Sequence, residues 1–434
     1  MKNVRIALLG LGTVGSGVVT ILQTHAERLR KQTGTNFEIA GILVRDTTRS
    51  RQVDVERSLL TTDIARIWES KPDVVVDAMG GLVPTLGYIE EAIARGCHVV
   101  SANKELIAVH GARLHALAGE QGVGLLYEAS VGGGIPVLNT LAQLLNVNRI
   151  TRVAGILNGT TNYILTRMEE DGLPYEAVLA QAQELGFAEA DPTADVEGYD
   201  AFHKIRIVAR LCFGEEVEEE VGLREGITSV TAEEIELYGR LGLRVKLLAT
   251  AERTKAGLRV QVAPTLVPHS HALSHVKNEY NGVFVTGDVV GDLFFTGKGA
   301  GMLPTGSAIV EDIVHAVRGI TFTPETAVAT QAVEIKAGEG AAEETGLEIA
   351  FFSLKHKDER GEFSLLSFLS GEAGVLHGVE TVKRNGQTHV AALLSSHDRA
   401  VSRAFAHHIG ATVRFRELLA EPAPGIAASP VTIG

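Results

Sequence analysis

Over the first 130 residues, short apolar runs alternate with segments whose apolar positions recur every three or four residues. Residues 4–9, 37–44, 73–79, 98–102 and 124–128 read as strands, and residues 16–30, 88–95 and 113–121 as helices. Near-continuous apolar strands separated by helices predict an α/β fold, a Rossmann-type parallel sheet with helices on both faces. After a Gly-rich turn at 130–136 the texture changes. Residues 150–157 are strand-like, 158–162 polar, and helices run to about residue 213. Strands return at 257–268 and 283–289, and a second Gly-rich loop at 297–306 opens a helix over 307–318. Residues 348–415 form a separate unit: strand 349–356, helix 363–371, strand 378–384, strand 388–395 and helix 399–408, with an Asn-Gly hairpin turn at 385–386. The expected units are 1–130 with about 300–322, 131–299, a linker at 323–347, 348–416, and a mobile tail at 417–434.

Composition narrows the classes. A chain of 434 residues with 45% apolar and 5% aromatic residues is too long for one ordinary core and suits an α/β protein. The formal net charge of −13, with no concentrated basic tract, argues against a nucleic-acid partner. Only two cysteines occur, Cys97 and Cys212, neither near another Cys or His at metal-ligand spacing. No signal-peptide pattern and no apolar run of membrane-spanning length is present, so a reducing cytoplasm is the expected compartment.

Two stretches carry candidate chemistry. Gly10, Gly12 and Gly15 form G-x-G-x-x-G on the first strand-to-helix turn, where glycines let a backbone approach a pyrophosphate and a helix N-terminus favours the anion. At the end of the second strand Arg45 precedes Asp46, with Arg49 and Arg51 close by, which points to NADP with NAD tolerated. Downstream, Glu189, Asp191 and Asp195 lie in a Gly- and Pro-punctuated stretch that reads as loop, followed by Asp200 and Lys204 on one face of a helix. Carboxylates leading into an Asp–Lys helix suit a polar cationic substrate and a proton transfer. Spacing alone favours a plainer reading, a solvated ion pair.

The tract from Ala182 to Lys204 resembles the motif of homoserine dehydrogenases, carried here by Ala182, Gly186, Phe187, Ala188, Asp191, Pro192, Asp195, Val196, Gly198, Asp200 and Lys204. Gly-Leu-Gly-Thr-Val-Gly at 10–15, Ser-Ala-Asn-Lys at 101–104, Glu-Ala-Ser-Val-Gly-Gly-Gly-Ile at 128–135 and Gly-Ile-Leu-Asn-Gly-Thr-Thr-Asn at 155–162 resemble the family too, so the likeness spans about residues 1–320. It implies reversible oxidation of L-homoserine to L-aspartate 4-semialdehyde with NADP or NAD, in threonine, methionine and isoleucine biosynthesis. It implies Lys204 as the main acid/base residue, Asp200 as its partner and a substrate ligand, and Lys104 as a second lysine near the reacting oxygen and the cofactor. Gly186, Glu189 and Asp195 would surround the amino acid. Thr13, Val14 and Gly301 would touch the cofactor, and Asn158, Thr160 and Asn162 would frame the substrate. A sodium or potassium ion would be held by Glu128 and the carbonyls of Val131, Gly133 and Ile135. The second unit would be an α+β substrate and dimerisation domain, giving a homodimer or homotetramer.

Residues 348–415 are similar to the βαββαβ ACT domains of longer family members, which implies either an L-threonine effector site or a purely structural or dimerising role. The usual D-x-P-G-x-L turn departs here, with Arg360 at the proline and Glu362 after Gly361. Three other functions fit less well. An aspartate-semialdehyde dehydrogenase needs a nucleophilic cysteine, and neither Cys97 nor Cys212 sits in a suitable motif. A redox-reporting amino-acid sensor has no use for an Asp–Lys proton-transfer pair, and a kinase ahead of the nucleotide loop is excluded on length. The acidic run 215–220 reads as a solvated face.

Overall fold

A computed structural model describes residues 2–217, 222–320, 347–355, 359–371, 373–384, 386–395 and 397–419. The first unit is built from β1 (Lys2–Leu9), α1 (Thr13–Thr24), α2 (Ala26–Thr33), β2 (Thr35–Leu43), β3 (Leu60–Thr61), α3 (Ile64–Glu69), β4 (Val74–Asp77), α4 (Thr85–Ala94), β5 (His98–Ser101), α5 (Lys104–Gln121) and β6 (Leu125–Leu126). Its six strands are parallel, in the order β3-β2-β1-β4-β5-β6. The order reverses at β1, and in such sheets ligands bind at the carboxyl ends of the strands beside that switch. Period-two alternation sends Ile6, Leu8, Val74 and Val76 into one core and Ala7, Leu9 and Val75 into the other.

Helix boundaries depart from the pattern in two places. The expected helix over 16–30 breaks at His25 into α1 and α2. The helix expected at 113–121 begins instead at Lys104, nine residues earlier. Its first half buries Leu106, Ile107, Ala108 and Gly111, too much of its circumference to leave a clear apolar stripe.

The second unit comprises α6 (Val137–Leu144), β7 (Ile150–Ile156), α7 (Gly159–Asp171), α8 (Tyr175–Glu184), α9 (Thr193–Val196), α10 (Tyr199–Phe213), β8 (Leu223–Arg224), α11 (Ala232–Arg240), β9 (Leu243–Thr254), β10 (Gly257–Pro268), β11 (Tyr280–Gly287) and β12 (Gly291–Lys298). The mixed sheet runs β12-β11-β7-β9-β10-β8. β9 and β12 are strands that the apolar pattern did not signal. β9 is buried on both faces from Val245 to Ala251, Lys246 included, which donates to Asn162 Oδ1 at 3.0 Å and the Val276 carbonyl at 2.6 Å. Burial brings that lysine down to about 8.

The chain then returns to the parallel sheet. α12 (Met302–Val317) packs on α1, adding Ile309 and Ile313 to the core that holds Val18 and Val19. Their crossing has no room for side chains: a Cβ on Gly17 would stand 1.9 Å from the Met302 carbonyl oxygen, and one on Gly306 2.8 Å from the Gly17 carbonyl carbon.

The third unit is β13 (Glu348–Lys355), α13 (Glu359–Gly371), β14 (Val375–Arg384), β15 (Gln387–Ser395), α14 (Arg399–His408) and β16 (Thr412–Glu417). This is the βαββαβ order the sequence implied, on an antiparallel sheet ordered β14-β15-β13-β16. It rests on α11 through Tyr238 against Phe351, and through Arg414 and Arg416 to the buried Glu234. The first residues of the tail expected at 417–434 are held in place. Glu417 ends β16, and the Leu419 amide donates to the Leu266 carbonyl of β10 at 2.9 Å. Residues 321–346, which hold all of the expected linker at 323–347 but its last residue, and residues 420–434 lie outside the described residues, as do Asp358 of the altered turn and Asn385 of the hairpin. Of the acidic run, Glu215 pairs with Arg253 and Glu216 with Arg210, so that part is engaged rather than solvated. Among the described residues no helix is long and apolar enough to cross a membrane.

The glycine crossing yields a stability test. Gly17→Ala should lower unfolding free energy by about 1–3 kcal/mol, the usual range for overpacking a tight contact. Urea unfolding measures it; an unchanged midpoint would show that α12 yields freely.

Candidate active site

The glycine loop is shaped by the backbone around it. Gly10 has φ +105°, and a Cβ there would lie 2.6 Å from the Ala78 carbonyl oxygen; one on Gly15 would lie 2.3 Å from the Gly10 carbonyl. A Cβ on Gly12 would meet nothing within 4 Å, so this side of the turn is open, with exposed Thr13 and half-buried Val14 beginning α1. Open backbone at a helix N-terminus suits an anion. Gly301, exposed and with φ +123°, caps α12 just before Met302, whose carbonyl lies on Gly17 of α1.

At the end of β2, Arg45 is exposed. Asp46 is occupied locally: one carboxylate oxygen accepts from the Thr48 amide and hydroxyl, both at 2.7 Å. Arg51 donates to the Leu11 carbonyl and to the Asp46 carbonyl, tying this loop to the glycine turn. A polar cleft of about 430 Å³ lies alongside, lined by Thr48, Arg49, Arg51, Gln52 and Arg57 among others.

The polar centre forms where α5 meets α10. Lys104 Nζ lies 2.7 Å from Asp200 Oδ1, and Lys204 Nζ 2.6 Å from Asp200 Oδ2. Lys204 also donates to the Leu157 carbonyl at 2.7 Å. The side chains of Asp200 and Lys204 are 6% and 11% exposed, against 43% for Lys104. Burial on this scale excludes the solvated ion pair that spacing alone favoured. Asn158 completes the group: its side-chain amide donates to Asp195 at 2.7 Å and to Asp200 at 2.9 Å, while its oxygen caps α7 by accepting from the Thr161 amide at 2.8 Å.

Electrostatics divides the two lysines. Burial alone would raise the Asp200 carboxyl, but the Lys204 and Lys104 ammoniums hold it well below the usual range. The Asp200 charge raises Lys104. Burial dominates at Lys204 and lowers it, helped by Lys104 and opposed by Asp200.

Asp195 is half-buried beside this cluster, whereas Gly186 and Glu189 lie on the exposed rim of the 185–195 loop and not in it. Thr160 Oγ1 holds that loop by donating to the Phe187 carbonyl at 2.8 Å, and Tyr163 stacks on Phe187 at 4.6 Å. Asn162 serves the framework, donating to the carbonyls of Asn278 and Tyr280 at 2.9 and 3.1 Å.

The expected cation segment is only partly as read. The Glu128 carboxylate is committed to the N-terminus of α6, accepting from the Leu138 and Asn139 amides at 2.9 and 2.6 Å. Burial nevertheless pushes it up to about 8. Its own amide donates to buried Asp312 of α12 at 2.8 Å. In the Val131–Gly133–Ile135 loop, a Cβ on Gly133 would stand 2.3 Å from the Gly299 carbonyl, so this loop abuts the 298–301 turn.

One polar network had escaped the sequence reading. Asp77, fully buried at the end of β4, accepts from the Ser101 hydroxyl at 2.9 Å and the Met79 amide at 3.1 Å. The Asn103 amide donates to Ser101 Oγ, and the Asn103 side chain caps α5, whose first residue is Lys104. An acid closing an otherwise apolar strand was the signal available. Neither cysteine has the properties of a nucleophile: burial pushes Cys97 up to about 11 and Cys212 up to about 12.

A family model described as homoserine dehydrogenase matches residues 136–314, and one for the homoserine dehydrogenase NAD binding domain matches residues 10–128. The homoserine dehydrogenase of Bacillus subtilis is 43% identical over 379 residues, covering 86% of each chain. The crystal structure of a homoserine dehydrogenase from Thiobacillus denitrificans superposes with a TM-score of 0.79 at 33% identity, over 96% of this chain and 98% of that one. A hyperthermophilic archaeal homoserine dehydrogenase in complex with NADPH gives 0.62 at 25% identity, over 73% of this chain and 98% of that one. With its parallel sheet, its glycine turn and the Lys104–Asp200–Lys204 cluster, the chain belongs to the homoserine dehydrogenase family, the NAD(P)-dependent oxidoreductases of that name.

Proposed function

We propose that this enzyme interconverts L-homoserine and L-aspartate 4-semialdehyde, with NADP(H) preferred, and that Lys204 moves the proton. The observation that carries the reading is the Asp200 carboxylate with a lysine on each oxygen. The nicotinamide ring, when bound, takes the hydride from the alcohol carbon. Lys204, lowered by burial, takes the hydroxyl proton in the oxidative direction and returns it to the forming alkoxide in the other. Lys104, raised by Asp200, stays an ammonium beside the reacting oxygen. Asp200 keeps both amines aimed and binds substrate, while Asp195 and Glu189 attract the substrate ammonium beside the Gly186 backbone. Gly10, Gly12, Thr13, Val14, Gly15 and Gly301 hold the dinucleotide.

The NADP preference is supported by exposed Arg45 at the end of β2, by Arg49, Arg51 and Arg57 in the polar cleft, and by the commitment of Asp46 to Thr48, which leaves that carboxylate oxygen engaged within its own turn. The archaeal relative carries NADPH. A sodium or potassium ion would be held by main-chain oxygens of Glu128, Val131, Gly133 and Ile135, since the Glu128 carboxylate already serves α6. Such an ion would brace the connection between the two sheets. The βαββαβ unit, docked on α11, is the place for an L-threonine effector, and the mixed sheet is the expected contact of a homodimer.

Lys204→Ala should lower turnover of L-homoserine with NADP⁺ by about 10²–10⁴-fold, the usual share of a general acid/base, while NADPH binding persists. Near-normal turnover in that variant would remove Lys204 from the chemistry. Arg45→Ala should raise the KM for NADP⁺ and leave that for NAD⁺ unchanged; a constant ratio would contradict the cofactor assignment. Activity should fall when sodium and potassium are replaced by tetramethylammonium, and again when millimolar L-threonine is added. Indifference to either change removes that ligand from the account.

A further inference from the structure

The helices that bring Lys104 to Asp200 meet a second time, away from the reacting groups. Arg210, in the last turn of α10, is 7% exposed, and its guanidinium lies against the bare Cα of Gly111 in α5. A Cβ on Gly111 would stand 2.2 Å from Nη2, 2.6 Å from Cζ and 2.7 Å from Nη1. Seven residues separate Lys104 from Gly111 and ten separate Asp200 from Arg210, so the two contacts lie about 10 Å apart on one helix and about 15 Å apart on the other.

This buried cation is poorly compensated. Nη1 reaches half-exposed Glu216 only at 3.4 Å, and Nε and Nη2 have no hydrogen-bond partner among the described residues. Beyond Glu216 it has a hydrogen-bonding contact with the neutral Tyr127 hydroxyl, which lies 3.1 Å from His115 Nε2 and supplies no charge. Burial, and then Arg210, brings His115 down to about 4, so the ring is neutral and does not balance the arginine's charge. An apolar side chain of similar length would fill this space without the cost of burying incompletely paired nitrogens. Stability therefore does not account for the arginine. A broad, rigid, planar group pressed on backbone does one thing a flexible apolar chain does poorly: it sets a fixed spacing.

We propose that Arg210 is a positioning residue, whose guanidinium on Gly111 fixes how closely α5 lies to α10 and thereby sets Lys104 against the Asp200 carboxylate. This rests on the assignment of chemistry to Lys104, Asp200 and Lys204. Neither Gly111 nor Arg210 touches the glycine turn, so nucleotide binding should persist when the spacer is altered.

The test is a compensation experiment on the full chain with L-homoserine and NADP⁺. Gly111→Ala overfills the contact and Arg210→Met underfills it. Each should lower kcat by up to about 10²-fold, the cost of misplacing a catalytic group by an ångström, with KM for L-homoserine and NADPH binding by fluorescence unchanged. The double variant, in which the added methyl group meets a slimmer chain, should recover most of the loss. Wild-type kcat in Gly111→Ala, losses that multiply in the double variant, or NADPH binding that falls with turnover would each overturn the proposal. Lys204→Ala in the same assay keeps the two claims apart: full activity there sinks the chemical assignment, whereas a silent Gly111→Ala sinks only the spacer.

Discussion

Everything at the centre of this enzyme turns on one carboxylate. Asp200 accepts Lys204 from its own helix and Lys104 from a helix of the parallel sheet, one amine on each oxygen. It is the point at which two separately built layers of structure become one polar site. Two lysines sit this close only with an anion between them, and a carboxylate this deeply buried stays ionised only with positive charge beside it. Each charge makes the others tolerable.

The frame around the cluster consists largely of helix ends. Asn103 caps α5 at the residue before Lys104, Asn158 caps α7 while holding Asp195 and Asp200, and Glu128 closes the N-terminus of α6. A helix terminus leaves amides in need of partners, so a polar side chain there has a fixed position before any substrate arrives. Preorganisation of the Lys104–Asp200–Lys204 cluster thus comes from ordinary capping, used at the place where the two sheets meet. The buried Lys246–Asn162 contact does the same for the floor beneath α7.

Much of this was legible along the chain. The parallel sheet follows from apolar runs alternating with helical segments, and the glycine turn from its place after β1. The Asp200–Lys204 pair follows from a four-residue spacing, and the family from the tract that contains it. What was missed has a common cause. β9 is buried on both faces along most of its length, β12 is an edge strand with adjacent phenylalanines, and the first half of α5 is buried too far around to show a stripe. In each case the environment comes from distant segments, which local periodicity does not report. The docking of residues 418–419 on β10 was hidden for the same reason: nothing in a Pro- and Ala-rich end tells of a strand so far back along the chain.

By itself, then, the order of residues determined the α/β class, the nucleotide turn, the candidate lysines and the family, because these rest on spacings of a few residues along one element. Only the tertiary structure decided that Asp200 and Lys204 are buried rather than solvated, that Lys104 shares the same carboxylate, and that Glu128 spends its oxygens on α6. It also decided which lysine is lowered and which is raised. Those outcomes depend on desolvation and on charges brought together from distant parts of the chain, and neither quantity exists until the chain has folded.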